Sequence, residues 1–263
     1  IGTLFAAAII PGVILGLSMS VYVALIAKRR DFPKIEKKFE VKEFLVSLKD
    51  TTLALFMPVI IVGGILGGIF TPTEAASIAV FYGLVVATVI YRSIGVRHIY
   101  RSVTSAMRTS AMLFFIIGLA SILGWTIARV NLPEIIAHFL ISLTANPRVI
   151  FLLVVFFLIF VGTWLDMSPA CIILAPILAP AMEIIGIHPI HFGTVMIIAL
   201  VIGLITPPLG VALFTAVAVG KVAIEEVVRE LWPFVIVDII VVIVLVYVPD
   251  LTLTIPRLLG FIR

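Results

Sequence analysis

The chain has 263 residues, of which 63% are hydrophobic and only 12% charged, with a net charge of +4. A soluble domain of this length has no interior large enough for such a content, which points to a polytopic membrane protein. The single cysteine, Cys171, lies in an apolar context and excludes both a disulfide framework and a cysteine-based metal site.

Residues 1–27 carry no charge and can span a bilayer, which takes about 20 apolar residues. The run starts at Ile1 and lacks the basic start and small-residue cleavage site of a signal peptide, so we expect this chain to be part of a longer one. Residues 28–49, KRRDFPKIEKKFEVKEFLVSLK, hold eight of the eighteen basic residues together with four acids. Between membrane spans this reads as a cytoplasmic loop under the positive-inside rule, and no nucleic-acid partner is expected. Residues 51–73 and 75–91 predict two spans in a tight hairpin across FTPTEAA, with Glu74 serving the N-terminus of the second helix. Arginines 92, 97, 101 and 108 mark a second cytoplasmic stretch. With Ile99, Val103 and Met107 on one side, 92–108 reads as a short interfacial helix. Residues 109–128 then cross outward, and 129–148 form an amphipathic outer connector.

Two shorter apolar pieces follow, 149–165 and 167–182, meeting at Asp166. Each falls below the length of a straight span, so both are either tilted spans or the arms of a re-entrant hairpin. Either choice returns the chain to the same side. The loop EIIGIHPIH leads into 192–220, 29 residues without a charge, interrupted in the middle by Thr206, Pro207 and Pro208 between Gly203 and Gly210. A polar turn, KVAIEEVVRE, precedes a final span at 231–249. With the basic loops inside, the C-terminus lies outside. No period of 20–50 residues suggests a repeat architecture.

Three features carry chemistry. Asp166 lies between two apolar arms, where a carboxylate is expensive and commonly functional. It or Ser168 also suits the N-cap of the arm starting near Pro169, and the two roles are compatible. The Thr-Pro-Pro break would leave half-helices whose freed backbone groups must be buried in protein or line a polar cavity. C-terminal half-helix carbonyls suit a sodium ion, and N-terminal amides suit a carboxylate. A proline kink rescued by neighbouring helices is the competing reading. Asp238, within WPFVIVDIIVVIV, is an intramembrane acid that either binds a proton or ion or pairs with a neighbouring helix. His188 and His191 have metal-compatible spacing but no further ligand nearby, and read as an interfacial loop pair. No G-x-S-x-G, H-E-x-x-H or Walker motif appears, so no enzymatic activity is expected.

GGILGGIFTPTEAASIAV (63–80), VGTWLDMSPACIILAPILAP (161–180), HPIHFGTVM (188–196) and GLITPPLGVALF (203–214) together resemble the large membrane subunit of tripartite ATP-independent periplasmic (TRAP) transporters. The order and spacing agree over the whole chain, corresponding to about the C-terminal 60% of a family member. The resemblance implies an all-α fold of two inverted repeats, one present here, each with a re-entrant hairpin and a broken helix. It implies sodium-coupled uptake of an organic anion by an elevator motion. Residues 1–27 would close the missing first repeat, 28–50 would be the basic loop and 51–91 a scaffold hairpin. An interfacial arm at 92–108 and a scaffold span with its connector at 109–148 would follow. The transport domain would be 149–220 (hairpin 149–182, broken helix 192–220), and 221–263 the terminal span and tail. Carried over residue by residue, the sodium ligands would be Gly162, Gly203, Thr206 and the carbonyl of Leu209, a position often methionine in relatives. Thr163, Asp166 and Ser168 would form the hairpin tip and Pro207 and Pro208 the break, beside the substrate. Implied partners are a periplasmic substrate-binding protein and a small four-helix membrane subunit, in the cell inner membrane. The cargo would be a carboxylate such as a C4-dicarboxylate or a sialic acid. A binding-protein-independent divalent-anion/sodium symporter and a non-transporting scaffold subunit remain alternatives.

Overall fold

The computed structural model describes residues 1–30 and 40–262, so part of the expected basic loop lies outside the described residues. Eleven α-helices and no strand are found among them: α1 (Gly2–Arg29), α2 (Val41–Leu66), α3 (Pro72–Val85, continued by a π-helical turn Val86–Ile90), α4 (Val96–Arg129), α5 (Leu132–Leu143), α6 (Pro147–Trp164), α7 (Met167–Ile184), α8 (Pro189–Ile205), α9 (Val211–Gly220), α10 (Ile224–Tyr247) and α11 (Asp250–Leu258). Among the described residues, six of these elements are long and apolar enough to cross a membrane: α1, α3 with its π turn, α4, α6, α7 and α10. The chain is an all-α, multi-pass membrane protein.

Local sequence explains most boundaries. Thr71 caps α3 in a reciprocal box, its hydroxyl accepting from the Glu74 amide while the Glu74 carboxylate accepts from the Thr71 amide at 2.8 Å, with Pro72 in the first turn. Glu74 thus serves the helix start, as its position implies. Asn146 caps α6 by accepting from the Arg148 amide at 3.0 Å. Elsewhere the helices overrun the expected bounds. Helix α2 begins at Val41, ten residues before the predicted span, and α10 begins at Ile224, inside the stretch read as a polar turn. Residues 96–129 form one helix, so the arginine-rich stretch is the first part of α4 rather than a separate helix. A charged face need not end a helix that runs beyond the apolar zone. Prolines sit within α7 at 176 and 180, each lacking the amide that would continue the ladder.

The chain divides into two compact units. The first comprises Ile1–Ala6 and Arg30–Ala111. In it α2 and α3 pack on each other, tied by the Tyr82 hydroxyl donating to the Leu53 carbonyl at 2.7 Å. The second comprises Ala7–Arg29 and Met112–Arg263. Its core is built on α6 and α8, joined by α7, α5 and α10, with Phe151, Leu158, Met182, Phe192, Leu200, Val235 and Leu245 buried. Helix α7 follows α6 after only Leu165 and Asp166, yet packs on α5, which lies just before the start of α6. The chain therefore doubles back at 165–166, and α6 and α7 are the arms of a hairpin. The most apolar window of α6 is 44% buried within the chain, against 6% in α1. Helix α6 is an inner element, whereas α1 presents its apolar surface outward.

Candidate functional site

The end of α6 and the end of α8 meet at two glycines. A Cβ on Gly162 would lie 2.6 Å from the Leu200 carbonyl oxygen and 3.1 Å from the Gly203 Cα. A Cβ on Gly203 would lie 2.6 Å from the Gly162 Cα and press on the Ile159 carbonyl. The two backbones touch with no side chain between them, a packing open only to glycine.

Just beyond that contact the α8 ladder fails, and the reason can be counted. The carbonyl of Gly203 would receive the amide of residue 207, and that of Leu204 the amide of residue 208; both are prolines. Gly203 takes the Thr206 amide instead, at 2.9 Å. The Leu204 carbonyl receives no backbone hydrogen bond among the described residues. Thr206 is buried, and its hydroxyl donates back to the Ile202 carbonyl at 2.6 Å, leaving the hydroxyl oxygen's lone pairs available. The carbonyls of Leu204 and Thr206 converge beside Gly210, where a Cβ would lie 3.2 Å and 3.1 Å from them. Gly210 has φ +40°, which suits the residue type, and it starts α9 without a side-chain cap. The first amides of α9 therefore lack the oxygen that a capping side chain would supply. The Pro207–Pro208 peptide is cis.

The hairpin tip is tied to this break by the Gly210 amide, which donates to the Thr163 carbonyl at 3.2 Å. Thr163 is buried, its hydroxyl bonded to the Phe160 carbonyl at 2.7 Å. The Gly162 carbonyl, whose helical partner would be the Asp166 amide, accepts no backbone hydrogen bond among the described residues. Asp166 is exposed and caps α7, accepting from the Ser168 amide at 3.4 Å, and Ser168 is half-buried in that first turn. The structure thus gathers Gly162, Thr163, Gly203, Thr206 and Gly210 at one contact, with Pro207 forming the break. Pro208 and Leu209 are exposed. Helix α8 ends here with carbonyls and α9 begins here with amides, so a partial negative and a partial positive charge share one break.

The Leu204 carbonyl was missed by sequence reasoning, although its position four residues before Pro208 signals it. His191 is not an interfacial loop residue. It is 2% exposed in the first turn of α8, with Nδ1 2.7 Å from Thr252 Oγ1. His188 is the helix cap. No group of three His, Cys, Asp or Glu residues that could hold a metal occurs among the described residues. Asp238 is 3% exposed and faces a cavity of about 360 Å³ walled by Leu15, Met19, Ile198 and Ile202, with Oδ1 unpartnered.

Residues 1–251 match the family model described as the tripartite ATP-independent periplasmic transporter, DctM component. The chain belongs to the DctM family. It is similar to the sialic acid TRAP transporter large permease protein SiaM of Vibrio cholerae, with 34% identity over 99% of this chain and 61% of that protein. The 2,3-diketo-L-gulonate TRAP transporter large permease protein YiaN of Escherichia coli is 37% identical over 95% of this chain and 59% of its own length. The C4-dicarboxylate TRAP transporter large permease protein DctM of Pseudomonas aeruginosa is 33% identical over 99% of this chain and 61% of its own. This DctM chain therefore spans about 60% of the length of these relatives. All three are transporter permeases, not enzymes, which agrees with the lack of a catalytic motif in the sequence.

Proposed function

We propose that this chain is the C-terminal part of a sodium-coupled importer for a carboxylate-bearing organic anion. The observation that carries the reading is the break itself. The Gly203 backbone lies against the hairpin end at Gly162, and the Leu204 carbonyl, freed by Pro208, lies beside the uncapped start of α9 at Gly210. Sodium is a hard cation that takes oxygen ligands. The carbonyls of Gly162, Gly203 and Leu209 and the Thr206 hydroxyl form the proposed set, with the Leu204 and Thr206 carbonyls as further donors of the same kind. Sodium here is a co-transported substrate. The carboxylate would sit on the α9 amides and at the hairpin tip of Thr163, Asp166 and Ser168, close enough for the ion's charge to favour it.

The cargo class rests on family membership and on the names of the relatives, two of which print sialic acid and C4-dicarboxylate. A periplasmic substrate-binding protein and a small four-helix membrane subunit are the proposed partners, in the inner membrane, with 28–49 cytoplasmic and the C-terminus outside. In the proposed elevator motion, hairpin and broken helix move together, which the glycine contact and the Thr163–Gly210 bond support. Family membership argues against a binding-protein-independent symporter and against a scaffold subunit. The test is uptake by the intact permease, reconstituted with its partners, under a sodium gradient and under potassium. Equal uptake in both would end the coupling claim.

A further inference from the structure

Helix α10 buries one face through Val235, Asp238, Val242 and Leu245, which recur at three- and four-residue spacing. The two valines and the leucine are what such a face needs, and Asp238 puts a carboxyl into the same stripe at 3% exposure. The helix packs on α8, and α1 reaches it where the Tyr22 and Phe234 rings meet edge to face, 4.8 Å between centroids. Between these three helices lies the cavity of about 360 Å³ that Asp238 faces. Its wall combines Leu15 and Met19 of α1 with Ile198, Ile202 and Ile205 of α8.

Asp238 is the only ionisable side chain on that wall. Its Oδ1 has no hydrogen-bond partner, and no cation pairs with the carboxyl among the described residues. The terminal torsion of an aspartate is broad, so a small turn of the carboxyl brings either oxygen to the cavity. A buried carboxyl left in this way is costly, and an occupant recovers that cost only by bringing a hydrogen-bond donor, best of all a positively charged one. The rest of the wall is leucine, isoleucine, valine and methionine, so whatever lies behind the donor must be apolar. A metal ion does not fit, because a hard cation takes several oxygen ligands and the wall side chains offer one carboxyl. A phospholipid headgroup does not reach, because Asp238 lies nine residues, about 14 Å, from Tyr247 at the nearer end of α10. Ile197 and Val201 on the same wall are 37% and 42% exposed, so the cavity opens past them to the outside of the chain.

We infer that this cavity binds a small lipophilic amine, its ammonium donating to the Asp238 carboxylate and its apolar body lying against Leu15, Met19, Ile198 and Ile202. The volume lies in the ordinary range for small-ligand sites, and one charged group among apolar walls is how such sites fix a ligand's orientation. The ammonium supplies both the donor and the opposite charge that the neighbouring helices lack. The site is separate from the contact of Gly162 with Gly203. Its ligand is a cation held by an acid, so it depends neither on sodium at the break nor on a carboxylate cargo.

Calorimetric titration of adamantylamine into the intact permease tests this, in phosphatidylcholine nanodiscs and sodium-free potassium buffer, with empty nanodiscs subtracted for partitioning. One saturable site is expected. Neutral adamantanol has the same shape and binds about tenfold more weakly, because it lacks the charge-assisted contact. Asp238→Asn keeps the shape of the side chain and lowers the affinity for the amine to that for the alcohol. Met19→Trp, at a half-buried position on α1, fills the cavity without touching the carboxyl and weakens amine and alcohol alike. If Asp238→Asn does not fold, the alcohol and Met19→Trp decide the matter. Amine uptake no greater than that of empty nanodiscs, equal affinities for amine and alcohol, or wild-type affinity in either folded variant would each overturn the inference.

Discussion

Replacing Gly203 by alanine tests the packing on which the candidate site stands. The new methyl carbon would sit 2.6 Å from the Gly162 Cα and press on the Ile159 carbonyl, and neither group is a flexible side chain. Restoring ordinary contact, about 3.6 Å for such pairs, requires α6 and α8 to separate by roughly 1 Å. Overpacking of this kind costs about 1–3 kcal/mol, and a backbone-on-backbone clash belongs at the upper end. Gly162→Ala pushes the same two helices apart from the other side. Once one variant has opened the gap, the second costs less, so the double variant should fall short of the sum of the singles by about 1 kcal/mol. A 1 Å shift at Gly162 and Gly203 also displaces the proposed sodium ligands, and misplacement on that scale can cost about 100-fold in function. The assay is thermal unfolding of the purified permease beside the sodium dependence of uptake. Gly118→Ala in α4 is the control, since a Cβ there meets nothing within 4 Å and helix propensity favours alanine. Wild-type stability and sodium dependence in Gly203→Ala, or strict additivity with Gly162→Ala, would refute the argument.

Other substitutions separate structural from functional roles. Thr206→Ser keeps the hydroxyl and should retain the apparent sodium affinity, whereas Thr206→Val should raise the sodium concentration at half-maximal uptake about tenfold; equal values for the two would remove the hydroxyl from the site. Asp166→Asn preserves an N-capping oxygen while removing the charge. If Asp166 only caps α7, Asn should behave as wild type and Ala should cost about 1 kcal/mol in unfolding. A transport defect in Asn at wild-type stability assigns the charge a role in binding. Thr71→Ala opens the α3 capping box and should cost about 1 kcal/mol without altering sodium dependence, measured by the same melts and uptake.

The spans and the break were legible because a lipid phase leaves few options. Uncharged runs such as 1–27 have nowhere else to go, and two adjacent prolines stop any ladder. What stayed hidden depends on distant pairing. Nothing local tells that Gly162 and Gly203, 41 positions apart, would be the glycines in contact while Gly118 faces open space. His191 read as a loop residue because histidine is not a common helix cap. Once His188 takes that role, Pro189 fits the first turn and His191 turns inward to Thr252. The extra length of α2, α4 and α10 was masked by charges, which mark the edge of the apolar zone rather than the end of a helix.

The hairpin arms differ in mechanical compliance. Helix α6 has no proline after its first residue and lies locked against α8, whereas in α7 the prolines at 176 and 180 leave the carbonyls of Ile172 and Pro176 without their usual ladder partners. When the hairpin deforms, α7 is the arm that yields. Its bending leaves Gly162 seated on Gly203, so the contact between the hairpin and the break outlasts a change of shape in the other arm. Hydrogen exchange should show this directly, with amides in the middle of α7 exchanging faster than their counterparts in α6.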